Sequence, residues 1–378
     1  MLLYGSWGRN TWGWILWGML ALFVVLNRSL IPVEHADVFL IYRDGALKWL
    51  QGQPLYDGSG TGFIYFPQAA VLFTPFTQLP VRWDSMIWRL VNIGGFAVGV
   101  YGFTRLASRR YDIQLFLPVT IVSILMGASA AKLGQATLIM AGLMMIAVMS
   151  LSRKNWWRAA IWLVMAFTLK PLVAVLILLV AVLYPRTIIP LLAGLAVFIL
   201  APFLMQDIGY VWDQYHLCLA TIKQVTVYGQ ENPFAQLFWM LRSAGINTPE
   251  AVQVIIRLLF AALTLGFCWW LRGKQTPHTF TIYLYSLAAC YVLLFNPRTE
   301  NNTYAILGPA VGVFAVWSFQ STRRLGIYSY SAIVAFYLLS NRIGKWLIGA
   351  PTFWIKPLLC LMFLILVVNQ SRLDHDKS

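Results

Sequence analysis

Long apolar runs recur along the whole chain and constrain its fold more than any other feature. Three clear examples are Trp12 to Leu26, Ile188 to Leu204 and Leu358 to Val368. In a bilayer every backbone N–H and C=O group must be hydrogen-bonded within the protein, so runs of this length indicate membrane-crossing helices. Charged residues make up 11% of the 378 residues, whereas soluble domains average about 25%. The alternating pattern of an outer-membrane barrel is absent, and we predict an all-α polytopic membrane protein.

The apolar runs predict about 12 transmembrane helices in a single domain that covers residues 1–378. The predicted spans are 12–31, 85–104, 113–131, 134–151, 156–170, 171–185, 187–204, 251–272, 278–296, 303–319, 326–341 and 352–370. Two long, less apolar stretches interrupt them, 32–65 and 205–250, and a short polar one covers 296–302. We expect no removed signal peptide, because no small-residue cleavage site follows the first apolar run.

The basic residues predict the orientation of the chain. The formal net charge is +15, but the basic residues are scattered in short clusters at span ends, which is typical of cytoplasmic loops and not of nucleic-acid binding. The clusters are Arg105, Arg109 and Arg110; Arg153, Lys154 and Arg158; Arg272 and Lys274; and Arg323 and Arg324. With these clusters and both termini inside, the stretches 32–65, 205–250 and 296–302 lie outside.

The number of membrane crossings depends on whether segment 66–83 crosses the membrane. It must enter and leave on the same side if the following helix ends at a cytoplasmic Arg105. Pro67, Pro75 and Pro80 interrupt it, which favours a short re-entrant hairpin. A full crossing is the alternative, and it requires Arg109 and Arg110 to face outward.

Acidic residues concentrate on the predicted outer side, where outward-facing chemistry needs carboxylates. Nine of them fall there: Glu34, Asp37, Asp44, Asp57, Asp207, Asp213, Glu231, Glu250 and Glu300. The four cysteines show no metal or redox spacing, and we expect buried, inert thiols. No Walker motif is present, and we expect neither a metal site nor a cofactor.

The first outer stretch predicts an amphipathic helix at the membrane surface, with Val38, Ile41, Leu47 and Leu50 on its apolar side. Asp37 stands at the start of this helix. It is either an N-cap or a general base that takes a proton from a hydroxyl group.

Several short motifs resemble glycosyltransferase family 87 in order and spacing. They are an aspartate after the first helix (Asp37), Tyr42, the GQPLY stretch at 52–56, the proline-bounded stretch 65–80, Gly134-Gln135, Lys170-Pro171 and Asn296-Pro297-Arg298. The resemblance implies a C-type glycosyltransferase, similar to polyprenol-phosphate-mannose-dependent mannosyltransferases. It would move a mannose-like hexose, with inversion, from a polyprenyl-phosphate donor to a lipid or glycan acceptor. The reaction would take place at the periplasmic face of a bacterial inner membrane, with Asp37 as the base.

The leaving group of such a transfer is a lipid phosphate, which calls for cations or hydrogen-bond donors. The candidates are Lys170 and Arg298, followed by Arg342 and Lys345. A lysine within an apolar segment is usually functional, although Lys170 before Pro171 also fits a helix end with a snorkelling side chain. Arg298 either binds phosphate bidentately or pairs with Glu300.

The remaining substrate-binding candidates are Gln135, Tyr42, His216, Glu300 and Asn301. Gln135 also fits a simple tight turn, and His216 also fits an incidental loop residue. Many relatives carry histidines where this chain has Thr299-Glu300-Asn301-Asn302, so neither the sugar nor the acceptor follows from the resemblance.

Two functions from other classes remain open. A transporter or flippase for a lipid-linked saccharide needs polar residues distributed through its spans. A non-catalytic membrane scaffold needs no particular carboxylate. The outward concentration of acidic groups favours an enzyme.

Overall fold

The computed structural model describes residues 4–30, 38–58, 62–321, 328–329, 331–333 and 354–375. Every regular element in these ranges is helical, and none is a strand. The α-helices are α1 (Tyr4–Leu30), α2 (Val38–Leu50), α3 (Pro67–Phe73), α4 (Val81–Ser108), α5 (Phe116–Lys132), α6 (Thr137–Ser152), α7 (Trp156–Leu169), α8 (Ala174–Leu183), α9 (Ile188–Leu200), α10 (Ile208–Glu231), α11 (Leu237–Ser243), α12 (Glu250–Arg272), α13 (Pro277–Phe295), α14 (Gly308–Ser321) and α15 (Ile355–His375).

The helices confirm a polytopic membrane protein. Seven helical stretches in the described ranges are long and apolar enough to cross a membrane, and four shorter apolar helices accompany them. The seven are Asn10–Asn27, Val81–Ser108, Pro185–Leu204, Glu250–Arg272, Pro277–Phe295, Asn301–Ser321 and Ile355–Arg372. Each predicted span overlaps a helix, except 326–341, which lies largely outside the described residues.

Exposed apolar side chains show which helices border the bundle. α12 is mostly apolar but buries only Cys268 and Leu271, and α9 exposes Ile189 and Leu200. A water-soluble protein rarely exposes so continuous an apolar surface. These helices therefore have the surface of lipid-facing membrane spans.

Glycine allows the central helices α4 and α6 to pack backbone against backbone. A Cβ atom added to Gly99 would lie 2.6 Å from the Cα of Gly142, and Gly142 in turn lies against the Gly95 carbonyl. Gly95 and Gly99 have the GxxxG spacing that brings membrane helices close together. This contact holds together the two helices that position the candidate site.

The bundle has two chemically different ends. At one end lie Val38, Tyr65, Gln135, Lys170 and Glu300, and we call it the Glu300 end. At the other end lie the turns that carry Arg109, Lys154, Arg186 and Arg272, and we call it the basic end. At each end, a contact joins two turns that are distant in sequence. Arg109 Nη1 is 2.7 Å from His278 Nε2 at the basic end, and Gln135 contacts Glu300 at the Glu300 end. The three predicted basic clusters that fall within the described residues therefore share one end, as the charge pattern predicts, whereas Arg323 and Arg324 lie outside the described residues.

The segment after residue 65 forms a short hairpin. α3 has only seven residues and continues into a 3₁₀ turn at Thr74–Thr77. Both arms return to neighbouring positions of α2: Tyr42 donates to the Tyr65 hydroxyl (3.1 Å), and Arg43 donates to the Leu79 carbonyl (3.3 Å). The hairpin therefore begins and ends at the Glu300 end.

Helix α2 exists as predicted, and one of its faces packs into the core. The buried side chains are Phe39, Tyr42, Ala46 and Trp49, which recur at helical spacing, whereas Leu50 of the predicted apolar side is exposed. The aromatic rings of the buried face contribute a large apolar area to the core. The position of the predicted apolar side at the membrane surface stays a prediction.

The stretch 205–250 is also more ordered than a loop. Most of it forms α10 and α11. The buried side of α10 carries Val211, Gln214 and Thr221, and its mixed polarity hides the helix from a search for apolar runs. Gln214 accepts a hydrogen bond from the Leu55 backbone (2.9 Å), which joins α10 to the loop after α2.

The close contact between α4 and α6 predicts that adding one methyl group at Gly99 lowers the stability of the protein. Gly99→Ala forces the helices apart and should lower stability by about 1–3 kcal/mol, seen as a lower thermal-unfolding midpoint in detergent. Gly94→Ala is the matched control, because a Cβ atom there meets nothing within 4 Å. Equal midpoints for the two variants would contradict the close contact.

Candidate active site

The turn between α5 and α6 presents Gln135 to the interior of the Glu300 end. Gly134 adopts a left-handed backbone conformation with φ +65, which an L-residue with a side chain rarely tolerates. A Cβ atom there would also approach the Arg89 guanidinium and Phe39 to 3.2 Å. Glycine therefore satisfies both the turn and the close packing.

Polar side chains of α4 fasten this turn. Trp88 donates to the Gly134 carbonyl (2.7 Å). Asn92 donates to the Gln135 carbonyl (2.7 Å) and accepts from the Ile139 N–H (2.8 Å). Buried backbone groups need such partners because unpaired ones are costly in an apolar interior. The position of Gln135 is thus set by α4.

The same turn anchors the start of α2. Val38 donates its backbone N–H to the Leu133 carbonyl (3.1 Å). The hydroxyl of Tyr42 accepts from the Ala136 N–H (3.3 Å) and donates to Tyr65. Burial raises the pKa of Tyr65 to about 12, so its hydroxyl stays protonated at neutral pH.

Glu300 meets Gln135 across the bundle, 165 residues away in sequence. Gln135 Nε2 donates to Glu300 Oε2 at 2.5 Å. Gln135 is buried, whereas Glu300 is partly exposed. The carboxylate therefore keeps acceptor capacity toward the adjoining space.

The loop that carries Glu300 is held from two sides. The Ala235 N–H donates to the Thr299 carbonyl (2.9 Å). Lys356 Nζ donates to the Asn301 carbonyl (2.8 Å) and lies 5.7 Å from the Tyr304 ring centroid. The exposed side chain of Asn301 thus projects from a fixed backbone.

Lys170 is a buried cation at the junction of two short helices. It ends α7 with extended backbone angles and precedes Pro171, whose ring disfavours helical geometry at the residue before it. Its ammonium donates to Thr137 Oγ1 (2.8 Å), and Thr137 donates to Gln135 Oε1 (3.3 Å). Lys170 does not snorkel to the surface, since its side chain is 8% exposed.

Arg298 completes the charged part of the cluster. Its guanidinium carbon lies 5.3 Å from the Tyr228 ring centroid and 5.9 Å from that of Phe234. Arg298 and Glu300 are both close enough to act electrostatically on Lys170 and Tyr65. Two cations, one carboxylate and two tyrosines therefore share one region.

The structure brings together most of the predicted substrate-binding residues. Gln135, Lys170, Arg298, Glu300 and Tyr42 lie in the cluster, and Asn301 borders it. His216 lies on the exposed side of α10, with its ring 5.3 Å from that of Trp212.

Three earlier candidates lie outside the described residues: Asp37, Arg342 and Lys345. Sequence reasoning missed Tyr65, Asn92 and Lys356. Asn92 and Lys356 carry a usable signal, because polar or charged residues inside apolar spans are usually paired or functional.

Side chains that could hold a metal ion do not cluster in the part of the chain that the structure describes. Within the described ranges, no three His, Cys, Asp or Glu residues come together to hold a metal ion. All four cysteines are unpaired and buried, as expected of inert thiols.

The comparison with known families decides the class of protein. The family model for glycosyltransferase family 87 matches residues 63–297. This chain belongs to glycosyltransferase family 87. The match includes Tyr65, Gln135 and Lys170 of the cluster, whereas Asp37, Tyr42, Arg298 and Glu300 lie outside it. No curated protein matches the chain. This family 87 member is therefore a membrane-embedded glycosyltransferase.

The fastening of Gln135 predicts a specific loss of stability. Asn92→Leu keeps the volume but leaves the buried Gln135 carbonyl without its donor, which should cost about 1–3 kcal/mol. The thermal-unfolding midpoint in detergent measures this effect. Asn247→Leu, at an exposed position, serves as the control. An unchanged midpoint for Asn92→Leu would show that the turn does not depend on this contact.

Proposed function

We propose that the chain is a C-type hexosyltransferase that uses a polyprenyl-phosphate-linked sugar, with a mannose-like hexose as the transferred group. The acceptor is a lipid or glycan at the periplasmic face of a bacterial inner membrane, and the product has inverted configuration. The observation that carries the proposal is the chain of hydrogen bonds that links Lys170, through Thr137 and Gln135, to Glu300 in a family 87 protein.

Asp37 is the proposed general base. Its sequence neighbour Val38 is hydrogen-bonded to the turn that carries Gln135, and consecutive Cα atoms are about 3.8 Å apart. The anchoring of this neighbour supports the proposed role, in which the Asp37 carboxylate takes the proton of the acceptor hydroxyl as that oxygen attacks the anomeric carbon.

Lys170 and Arg298 are the proposed partners of the leaving phosphate. The bond between the anomeric carbon and the phosphate oxygen breaks with its electron pair on that oxygen, so negative charge grows there. Cations fixed in a low-dielectric region stabilise such charge strongly. Polyprenyl phosphate leaves, and the acceptor proton remains on Asp37.

Glu300, Gln135 and Asn301 are the proposed sugar-binding groups. Carboxylate and amide groups accept and donate hydrogen bonds to neighbouring hydroxyls, and Gln135 already orients Glu300. Tyr42 and Tyr65 line the adjoining wall. We assign His216 no step, since it lies on a different surface.

The proposed orientation places the Glu300 end outside and the basic end in the cytoplasm. The grouping of the basic residues supports this orientation. The hairpin at 66–83 is then the re-entrant segment, and both termini lie inside. With the short helices counted, the chain crosses the membrane about 12 times.

Family membership favours this enzyme over the flippase and over the scaffold. A flippase needs a polar path from end to end, whereas the carboxylate and amide groups of the candidate site gather at the Glu300 end. A scaffold predicts no dependence on Asp37.

The proposed mechanism predicts that Asp37→Asn lowers sugar transfer about 10²- to 10⁴-fold, because the amide cannot accept the proton. The assay follows radiolabelled sugar from a polyprenyl-phosphate donor into a lipid extract, with purified protein. Asp44→Asn is the matched control, since Asp44 is an exposed residue of α2 that pairs with Lys48 at 2.9 Å.

Full transfer by Asp37→Asn would refute Asp37 as the base. Movement of the donor across a vesicle membrane, with no transfer by either protein, would instead favour the flippase.

A further inference from the structure

A cavity of about 490 Å³ opens at the basic end, opposite the proposed active site. Three cations from three different turns line it: Lys154 between α6 and α7, Arg186 between α8 and α9, and Arg272 at the end of α12. No acidic residue is among its described lining residues. The cavity thus concentrates positive charge without a carboxylate to balance it.

Aromatic rings form the inner wall of this cavity. The Tyr184 ring lies 5.7 Å from Trp156 and 6.1 Å from Phe280. Arg272 stacks over Tyr184 at 5.0 Å and also donates to the Leu183 carbonyl. Arg272 is therefore held in place by these contacts, and like Lys154 and Arg186 it keeps exposed surface.

Topology alone accounts for basic residues at this end but not for their convergence on one cavity. Like charges that converge on a recess repel each other, and a bound anion removes that repulsion. Basic recesses between helices on the cytoplasmic side are suited to lipid phosphates.

The lengths of the neighbouring helices favour a lipid as the source of the anion. α7 has 14 residues and α6 has 16, which correspond to about 21 and 24 Å at 1.5 Å per residue. A hydrocarbon core is about 30 Å thick, and short helices draw the bilayer surface inward. If the Glu300 end lies at the outer membrane surface, the short helices bring the cavity to the depth of the inner leaflet's lipid headgroups.

We propose that this cavity is a phosphate-binding site occupied by the headgroup of an anionic membrane phospholipid. Lys154 and Arg186 contact the phosphate, Arg272 supplies fixed positive charge behind it, and Trp156 borders the glycerol region. This site is separate from the sugar-transfer site; it rests on the proposed orientation but not on the proposed chemistry.

Native mass spectrometry of the full chain tests the site. The protein is taken from nanodiscs that contain equal amounts of phosphatidylglycerol and phosphatidylcholine, and retained lipids are counted. We expect the wild type to retain phosphatidylglycerol selectively. The variant Lys154→Gln/Arg186→Gln should weaken retention roughly 30-fold, because each cation near the surface is worth about fivefold in affinity.

Two further variants separate a site from general surface charge. Arg105→Gln/Lys274→Gln removes two basic residues outside the cavity lining and should retain the lipid. Lys154→Arg/Arg186→Lys keeps both charges and should also retain it, provided that the protein folds like the wild type.

Equal losses in the cavity variant and the surface variant, or no preference for phosphatidylglycerol in the wild type, would overturn the proposal. Inorganic phosphate is added in a separate arm. Displacement of the lipid by phosphate supports recognition through the phosphate group, whereas phosphate-dependent stabilisation of lipid-free protein without lipid selectivity would overturn the lipid assignment.

Discussion

The hydrogen bond between Gln135 and Glu300 joins the two halves of the bundle at the point where the chemistry is proposed. Gln135 belongs to the turn after α5, and Glu300 belongs to the loop after α13. Gln135 is buried, so its polar groups need partners within the protein. Asn92, Trp88 and the start of α2 supply the partners of this turn. Lys170 is linked to the same turn through Thr137, and Tyr65 is linked to it through Tyr42.

The same helices connect the candidate active site with the proposed lipid-binding cavity. α6 and α7 carry Thr137 and Lys170 at one end and Lys154 and Trp156 at the other. The Glu300 end combines cations with a carboxylate and hydrogen-bonding amides, which suits a charged leaving group and a neutral sugar. The cavity at the basic end combines cations with aromatic rings and has no acidic residue among its described lining residues, which suits a lipid headgroup. Short helices between them keep both sites within one bilayer.

Much of the fold could be predicted because lipid imposes simple rules. Apolar runs gave the helices, and basic clusters indicated which turns share an end. The pattern of apolar residues was less informative where polar side chains are buried. α10 buries Gln214 and Thr221, so it is not visible as an apolar stripe, and the apolar side predicted for α2 does not include Tyr42 and Trp49, which the structure buries.

Individual residues of the site could be predicted from the sequence, but the contacts between them could not. Lys170 was visible as a cation in an apolar segment, and the family motifs indicated Gln135 and Arg298. The pairing of Gln135 with Glu300 spans 165 residues, and one sequence contains no signal for such a contact. Lys356 is visible as a charged residue within an apolar span, but its partner is a backbone carbonyl, which no residue pattern reveals.

The most direct test is a structure of the full chain with a non-transferable phosphonate analogue of the polyprenyl-phosphate sugar. The account predicts the phosphonate within hydrogen-bond distance of Lys170 and Arg298, with the sugar against Gln135 and Glu300. It also predicts the Asp37 carboxylate on the opposite face of the anomeric carbon. A phosphonate bound elsewhere, or a sugar that does not touch the Gln135–Glu300 pair, would contradict the account.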